Sequence, residues 1–238
     1  MAGFVSAYPT EKAEGLVTRD CSAEIERFNL ARREKRGHLK RSLYSNMQNL
    51  TCVLSPEVPK QNYVAGAPLQ SDVIDGQEGV LLVLDVGILD VTTCQPMPNA
   101  LVEIWSTNAF GDYGSFLRGA TVSESNGIAE FQTIFPGFTS TSANHINIAV
   151  HSGSSMTSST SHNGQLFFTD KWTYIVGMYP PYDQNTHTWI FNDNDSNYAA
   201  ASQAGFDPIV DLLSIQDDWP QGIVGYITVG INPNNKVN

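Results

Sequence analysis

From Asn62 onward the chain repeats one pattern, a short apolar run followed by a break of Gly, Pro, Asn or Asp. Residues 79–90 (GVLLVLDVGILD) read as a buried strand, and 100–105 (ALVEIW) follow after a turn at 96–98. Then come 127–134 (GIAEFQTI), 145–151 (HINIAVH), 165–168 (QLFF) and 222–231 (GIVGYITVGI). Short strands at this spacing, with no heptads, no internal repeat and no Gly-rich loop opening a helix, predict an all-β chain, an antiparallel β-sandwich. One helical segment precedes them. Residues 22–45 are rich in Glu, Arg, Lys, Leu and Ala, with Ile25, Phe28, Ala31, Leu39 and Leu43 at helix-like intervals, Ser22 as N-cap and Gly37 as an interruption. The expected organisation is an N-terminal helical extension over 1–50 and a sandwich domain over 51–238. Ser152 to Ser161 is Ser/Thr-rich and reads as a flexible surface loop.

Charge narrows the partners. The formal net charge of −11 argues against nucleic acid, because phosphate binding wants a basic surface. The basic residues Arg27, Arg32, Arg33, Lys35, Arg36, Lys40 and Arg41 cluster in the helical segment. Such a run reads as a solvated face, or one packed against the acidic body or a second subunit. No apolar run is long enough for a membrane span. The sequence starts without an apolar signal core, so the expectation is a cytoplasmic protein, or a secreted one if a signal has been removed. Of Cys21, Cys52 and Cys94, the pair Cys52–Cys94 is expected to bridge in an oxidising compartment.

The segment 145–151 carries the chemistry. At a strand's period of two, Ile146, Ile148 and Val150 face one way, and His145, Asn147, Ala149 and His151 the other. Two imidazoles and an amide on one face suit either a pocket wall or an outer face that is merely wet. Elsewhere, His38 reads as solvated, and His187 sits uninformatively in a polar stretch. Asp217 and Asp218 read as a solvated turn, and residues 179–182 (YPPY) as a rigid loop able to rim a pocket. No nucleophile elbow or metalloprotease motif is present.

Segments 52–58 (CVLSPEV), 98–105 (PNALVEIW), 108–113 (NAFGDY), 133–137 (TIFPG), His145-Ile146 and 162–168 (HNGQLFF) occur in an order that resembles the intradiol ring-cleavage dioxygenases, in particular their fungal branch. The resemblance implies a β-sandwich enzyme whose N-terminal helix is often used in homodimerisation. It also implies a ferric ion held by two tyrosinates and two histidines, on which a catechol is cleaved between its hydroxyls with dioxygen. Carried over position by position, the first tyrosine falls on Tyr113 and the second on Thr139, beside Phe138. The two histidines fall on His145 and Asn147, and a substrate-directing arginine on Ser142. Spacing from Pro136 to Asn147 is kept without a gap, so two ligands and the arginine are replaced. Thr139 supplies no anionic donor at neutral pH, and an amide is a poor substitute for imidazole.

The expectation is therefore an enzyme without a cofactor. Tyr113 and His145 would act as acid and base in a pocket with Asn147, Thr139, Phe138, Ser142, Trp105 and His162, although Trp105 and His162 also suit packing and turn-holding roles. The reaction would be a dehydration, isomerisation or cyclisation, pericyclic chemistry included, of a phenolic or polyketide-like metabolite. Two alternatives stand beside it. One is a dioxygenase with Fe3+ on substitute ligands, where His151 or His162 would join Tyr113 and His145. His151 is poorly placed for this, about 20 Å from His145 along an extended strand. The other is a non-catalytic binder of an aromatic ligand.

Overall fold

The computed structural model describes residues 21–35, 57–215 and 218–237. The first element is helix α1 (Ser22–Lys35), followed by β1 (Leu81–Asp90), the two-residue β2 (Gln95–Pro96), β3 (Leu101–Trp105), β4 (Arg118–Val122), β5 (Ile128–Ile134), β6 (His145–His151) and β7 (Thr160–Phe167). Helices α2 (Asp170–Gly177) and α3 (Ser196–Gln203) come next, then β8 (Asp211–Ser214) and β9 (Ile223–Ile231).

Two sheets face each other as a sandwich. One runs β2-β1-β9-β8 with β5 also pairing β1, and β1 and β9 are parallel. The other is β4-β3-β6-β7, antiparallel throughout. The alternation expected from the sequence sets the inner faces. Leu82, Leu84, Val86 and Ile88 of β1 meet Val102, Ile104, Ile146, Ile148, Val150 and Leu166 in one core cluster. Each such side chain, fully withdrawn from water, contributes on the order of 1.5–3 kcal/mol.

The outer face of the first sheet is closed by α1. Ile25 and Cys21 pack with Leu89 and Cys94, and Gly87 leaves room for the Phe28 ring, which an added Cβ would strike. Between them lies a buried ion pair. Arg32 donates to Asp85 through Nε (2.9 Å) and Nη2 (2.5 Å), and its other N–H groups reach Ile227 O, Thr228 Oγ1 and Asn29 Oδ1. At least one member of the basic cluster is thus packed on the acidic body rather than solvated.

Several expectations are corrected. The disulfide is Cys21–Cys94, with Cα atoms 5.4 Å apart, because α1 brings Cys21 to the turn after β1; Cys52 lies outside the described residues. Ser22 is the first helical residue and not the cap, since Ile25 N donates to Cys21 O. Ala31 is exposed, and the helix-like pattern past Lys35, with Gly37, His38, Leu39 and Leu43, lies outside the described residues. The Ser-rich loop ends at Ser159, and the strand read at 165–168 begins at Thr160. In the 179–182 loop the Tyr182 hydroxyl is not at a pocket mouth. It is core, donating to Phe135 O (2.6 Å) and accepting from Val80 N.

Candidate functional site

The outer face of the second sheet is polar and still buried. Register places Trp105 beside Asn147 and Asn147 beside Gln165, with His145 beside Phe167 at the end of β6. Over this face runs the segment 57–64. Gln61 O accepts from Trp105 Nε1 (2.8 Å), and the Tyr63 hydroxyl donates to Glu103 (3.0 Å).

Tyr113 arrives from the loop between β3 and β4. Asn108 Oδ1 accepts from the backbone N–H groups of Phe110 and Asp112, tightening a turn that needs φ +84° at Gly111. Thr107 Oγ1 donates to Gly137 O (2.6 Å), locking this loop to the one that precedes β6. The result brings the Tyr113 hydroxyl to 3.4 Å from His145 Nε2 and 3.1 Å from Asn147 Nδ2.

The hydrogen bonds define the protons. His145 Nδ1 lies 2.7 Å from Ala143 O, a pure acceptor, so Nδ1 carries the hydrogen and Nε2 of the neutral ring is the accepting nitrogen. Gln165 Nε2 approaches it at 3.0 Å. The Gln165 amide is oriented by Asn197 of α3, whose Nδ2 donates to Oε1 (2.8 Å). Asp195 caps α3 through the N–H groups of Asn197 and Tyr198, and its other oxygen accepts from Ala143 N (2.9 Å). Helix α3 therefore fixes both the imidazole's anchor and the amide that faces it.

Burial then sets the charge states. It pushes the His145 pKa below the usual histidine value, with the Ala143 hydrogen bond opposing. It raises the Tyr113 pKa above the usual phenol value, partly offset by hydrogen bonds from Asn147 and Asn62. Both groups are neutral across the physiological range, a phenol beside an unprotonated imidazole.

The other candidates separate. Trp105 borders the cluster, its carbonyl 3.4 Å from Asn147 Nδ2, and its indole is edge-on to Tyr63. Thr139 Oγ1 is turned into its own loop, against Ser142 O, Ser142 Oγ and the N–H groups of residues 141 and 142. Ser142 is held in that same loop. Phe138 lies against Gly177 at the end of α2. His162 alternates onto the other side of β7, where Nδ1 meets Glu57 (3.1 Å). His151 is separate too, with Nε2 2.5 Å from Glu103 and Nδ1 3.0 Å from Ser158 O. For Glu103, burial raises the pKa, but hydrogen bonds from His151 and Tyr63 outweigh it, and the net shift is downward. Gln165 and Asn197 join the cluster without having been assigned from the sequence. Extending the two-residue period of β6 to β7 would have found Gln165.

A ferric ion does not fit this donor set. Apart from one phenol and one imidazole, the cluster holds two amides, Thr139 is turned away, and the His145 lone pair faces an amide N–H. No donor here other than Tyr113 can become an anion to balance the ion's charge. Among the described residues, no group of three or more His, Cys, Asp or Glu side chains is placed to hold a metal ion.

Comparison with solved structures agrees with the sandwich. An intradiol ring-cleavage dioxygenase from Tetranychus urticae is 25% identical, with a TM-score of 0.69 over 79% of this chain and 98% of that one. The chain has the fold of the intradiol ring-cleavage dioxygenases. More distant likenesses of fold are 3-chlorocatechol 1,2-dioxygenase from Rhodococcus opacus (15% identity, TM-score 0.54, covering 91% of this chain and 81% of that one) and catechol 1,2-dioxygenase from Acinetobacter (18%, 0.53, 94% and 74%). No family model matches the sequence, and no curated protein does. The intradiol-dioxygenase-like chain has no helix, among its described residues, long and apolar enough to cross a membrane.

Proposed function

We propose that this intradiol-dioxygenase-like chain is a metal-independent acid–base enzyme acting on a small phenolic or polyketide-like ring, by isomerisation, dehydration or cyclisation. The observation that carries the reading is the Tyr113 hydroxyl 3.4 Å from a His145 Nε2 whose opposite nitrogen is anchored on Ala143 O. A ring entering between them displaces both the Tyr113 and the Gln165 contacts to His145 Nε2, freeing its lone pair. His145 Nε2 then takes a proton from the carbon next to a ring carbonyl. The electron pair moves onto that oxygen, and Tyr113 donates its hydrogen bond or proton there. Positioned acid–base pairs of this kind contribute about 10²–10⁴-fold. Gln165 and Asn147 orient the oxygen substituents.

The experiment is proton exchange in D2O, followed by NMR on hydroxylated aromatic and cyclic 1,3-dicarbonyl probes with chelator present. Site-specific deuterium uptake, lost in both Tyr113→Phe and His145→Ala, is expected. Uptake that persists in both variants contradicts the reading.

One observation favours a second reading, oxygenation with substitute ligands. Tyr113 and His145 stand as close together as two ligands of one ion would. Catechol-dependent oxygen uptake that needs added iron and is abolished by Tyr113→Phe would establish it.

A further inference from the structure

One step along β7 from the amide that faces His145, the same buried face changes character. Register sets Glu103, Ala149 and Asn163 side by side across β3, β6 and β7, in the row next to Trp105, Asn147 and Gln165. Asn163 is 1% exposed, yet neither its Oδ1 nor its Nδ2 has a hydrogen-bond partner. Ser161 Oγ, at the irregularity in β7 opposite Val150 and His151, is likewise buried and unpartnered. Burying such groups unpaired costs about 1–3 kcal/mol each. The neighbouring Asn147, Gln165, His145, Glu103 and His151 side chains all have partners.

Three features make this a receptive place. The Asn163 backbone is already engaged by the overlying segment, its N–H by Glu57 (2.6 Å) and its carbonyl by Val58 N (3.3 Å). Only the carboxamide is left to find a partner. Ala149 opposite it offers just a methyl group, so the amide overhangs the smallest side chain of the row. Asn163 also lies two residues from Gln165, about 7 Å along the strand, the reach of an aromatic ring and its substituent.

We propose that Asn163 is the far end of the same pocket and binds a neutral substituent that presents a donor and an acceptor together, such as a carboxamide or lactam edge. The inference rests on the ring-binding reading of Tyr113 and His145. A carboxylate fits poorly. It would meet Asn163 Oδ1 with lone pairs and face the Glu103 carboxylate across Ala149, whose histidine partner is already engaged.

The test is calorimetric titration of the purified protein with phenol, 2-hydroxybenzamide and 2-hydroxybenzoate. The amide is expected to bind about tenfold more tightly than phenol, as one net hydrogen bond gives, and the benzoate no more tightly than phenol. Asn163→Leu should erase the amide-to-phenol ratio. Asn163→Asp, nearly isosteric, should shrink it and so serves if the leucine variant fails to fold. A ratio near one in the wild type, the mark of an internal water serving Asn163, overturns the inference, as does a ratio that survives both variants. The ring-binding reading is judged separately by phenol itself. If phenol does not bind, or binds equally to Tyr113→Phe and His145→Ala, that reading fails and this inference fails with it.

Discussion

The two outer faces of the sandwich differ in how their central polar groups are held. On the first sheet, Arg32 and Asp85 are an ion pair ringed by further hydrogen bonds, under a helix tied down by the Cys21–Cys94 bridge. On the second, beside the Glu103 carboxylate and its His151 partner, Tyr113, His145, Asn147 and Gln165 are uncharged and meet one another at 3.0–3.4 Å, and Asn163 is unpartnered. A buried ion pair has one arrangement and resists change, because losing either partner strands a charge. A neutral network of long contacts can exchange one partner for a ligand at small cost. The first face holds the fold together, and on the proposed reading the second accepts a ligand.

The sharpest way to break this contrast is at the second face. His145→Ala should lower turnover about 10²–10⁴-fold while global stability falls far less than for the ion-pair change below. Arg32→Leu should do the reverse, leaving Asp85 uncompensated at a cost of about 3–5 kcal/mol in denaturant unfolding, with kcat retained by the folded fraction. Reducing the disulfide, or Cys94→Ser, should remove about 2–4 kcal/mol by the same measurement.

The pH dependence distinguishes the faces too. The lowered His145 pKa keeps its base form in the fold, so the stability it contributes is present above the unfolded value near 6.5 and is lost as pH falls below that. Tyr113, raised, contributes stability below about 10 that is lost as pH rises past it. Turnover should therefore stay flat between an acid limb below the ordinary histidine value and an alkaline limb above the ordinary tyrosine value. A profile peaking sharply near 6.5 would show that the imidazole is not desolvated as described. The smallest effect expected is from Thr139→Ala, about 0.5–1 kcal/mol of stability through its loop with turnover unchanged, since its hydroxyl does not face His145.

Much of this was legible in the chain. The alternation of HINIAVH set both faces of β6, and long apolar runs set β1 and β9. RGATV and DLLS do not stand out as strands in the sequence, because each is short and takes its place from neighbours rather than from a pattern of its own. Helix α3, with eight residues and little amphipathicity, is similarly defined by the Asp195 cap and by packing. Arg32 was legible in principle. It lies on the helix stripe of Ile25 and Phe28, and a cation on an apolar stripe implies a buried partner. The direction of the Thr139 hydroxyl and the pairing of Cys21 depend on contacts between distant segments, which spacing alone does not encode.

The central claim is that the Tyr113–His145 pair works as a neutral acid and base rather than as an iron site. It is tested most directly by adding ferric or ferrous iron to the purified, chelator-treated protein, removing the excess, and recording metal content with the visible spectrum. Iron well below one equivalent and no tyrosinate-to-iron band are expected. One equivalent of iron with a visible band that Tyr113→Phe abolishes would contradict it.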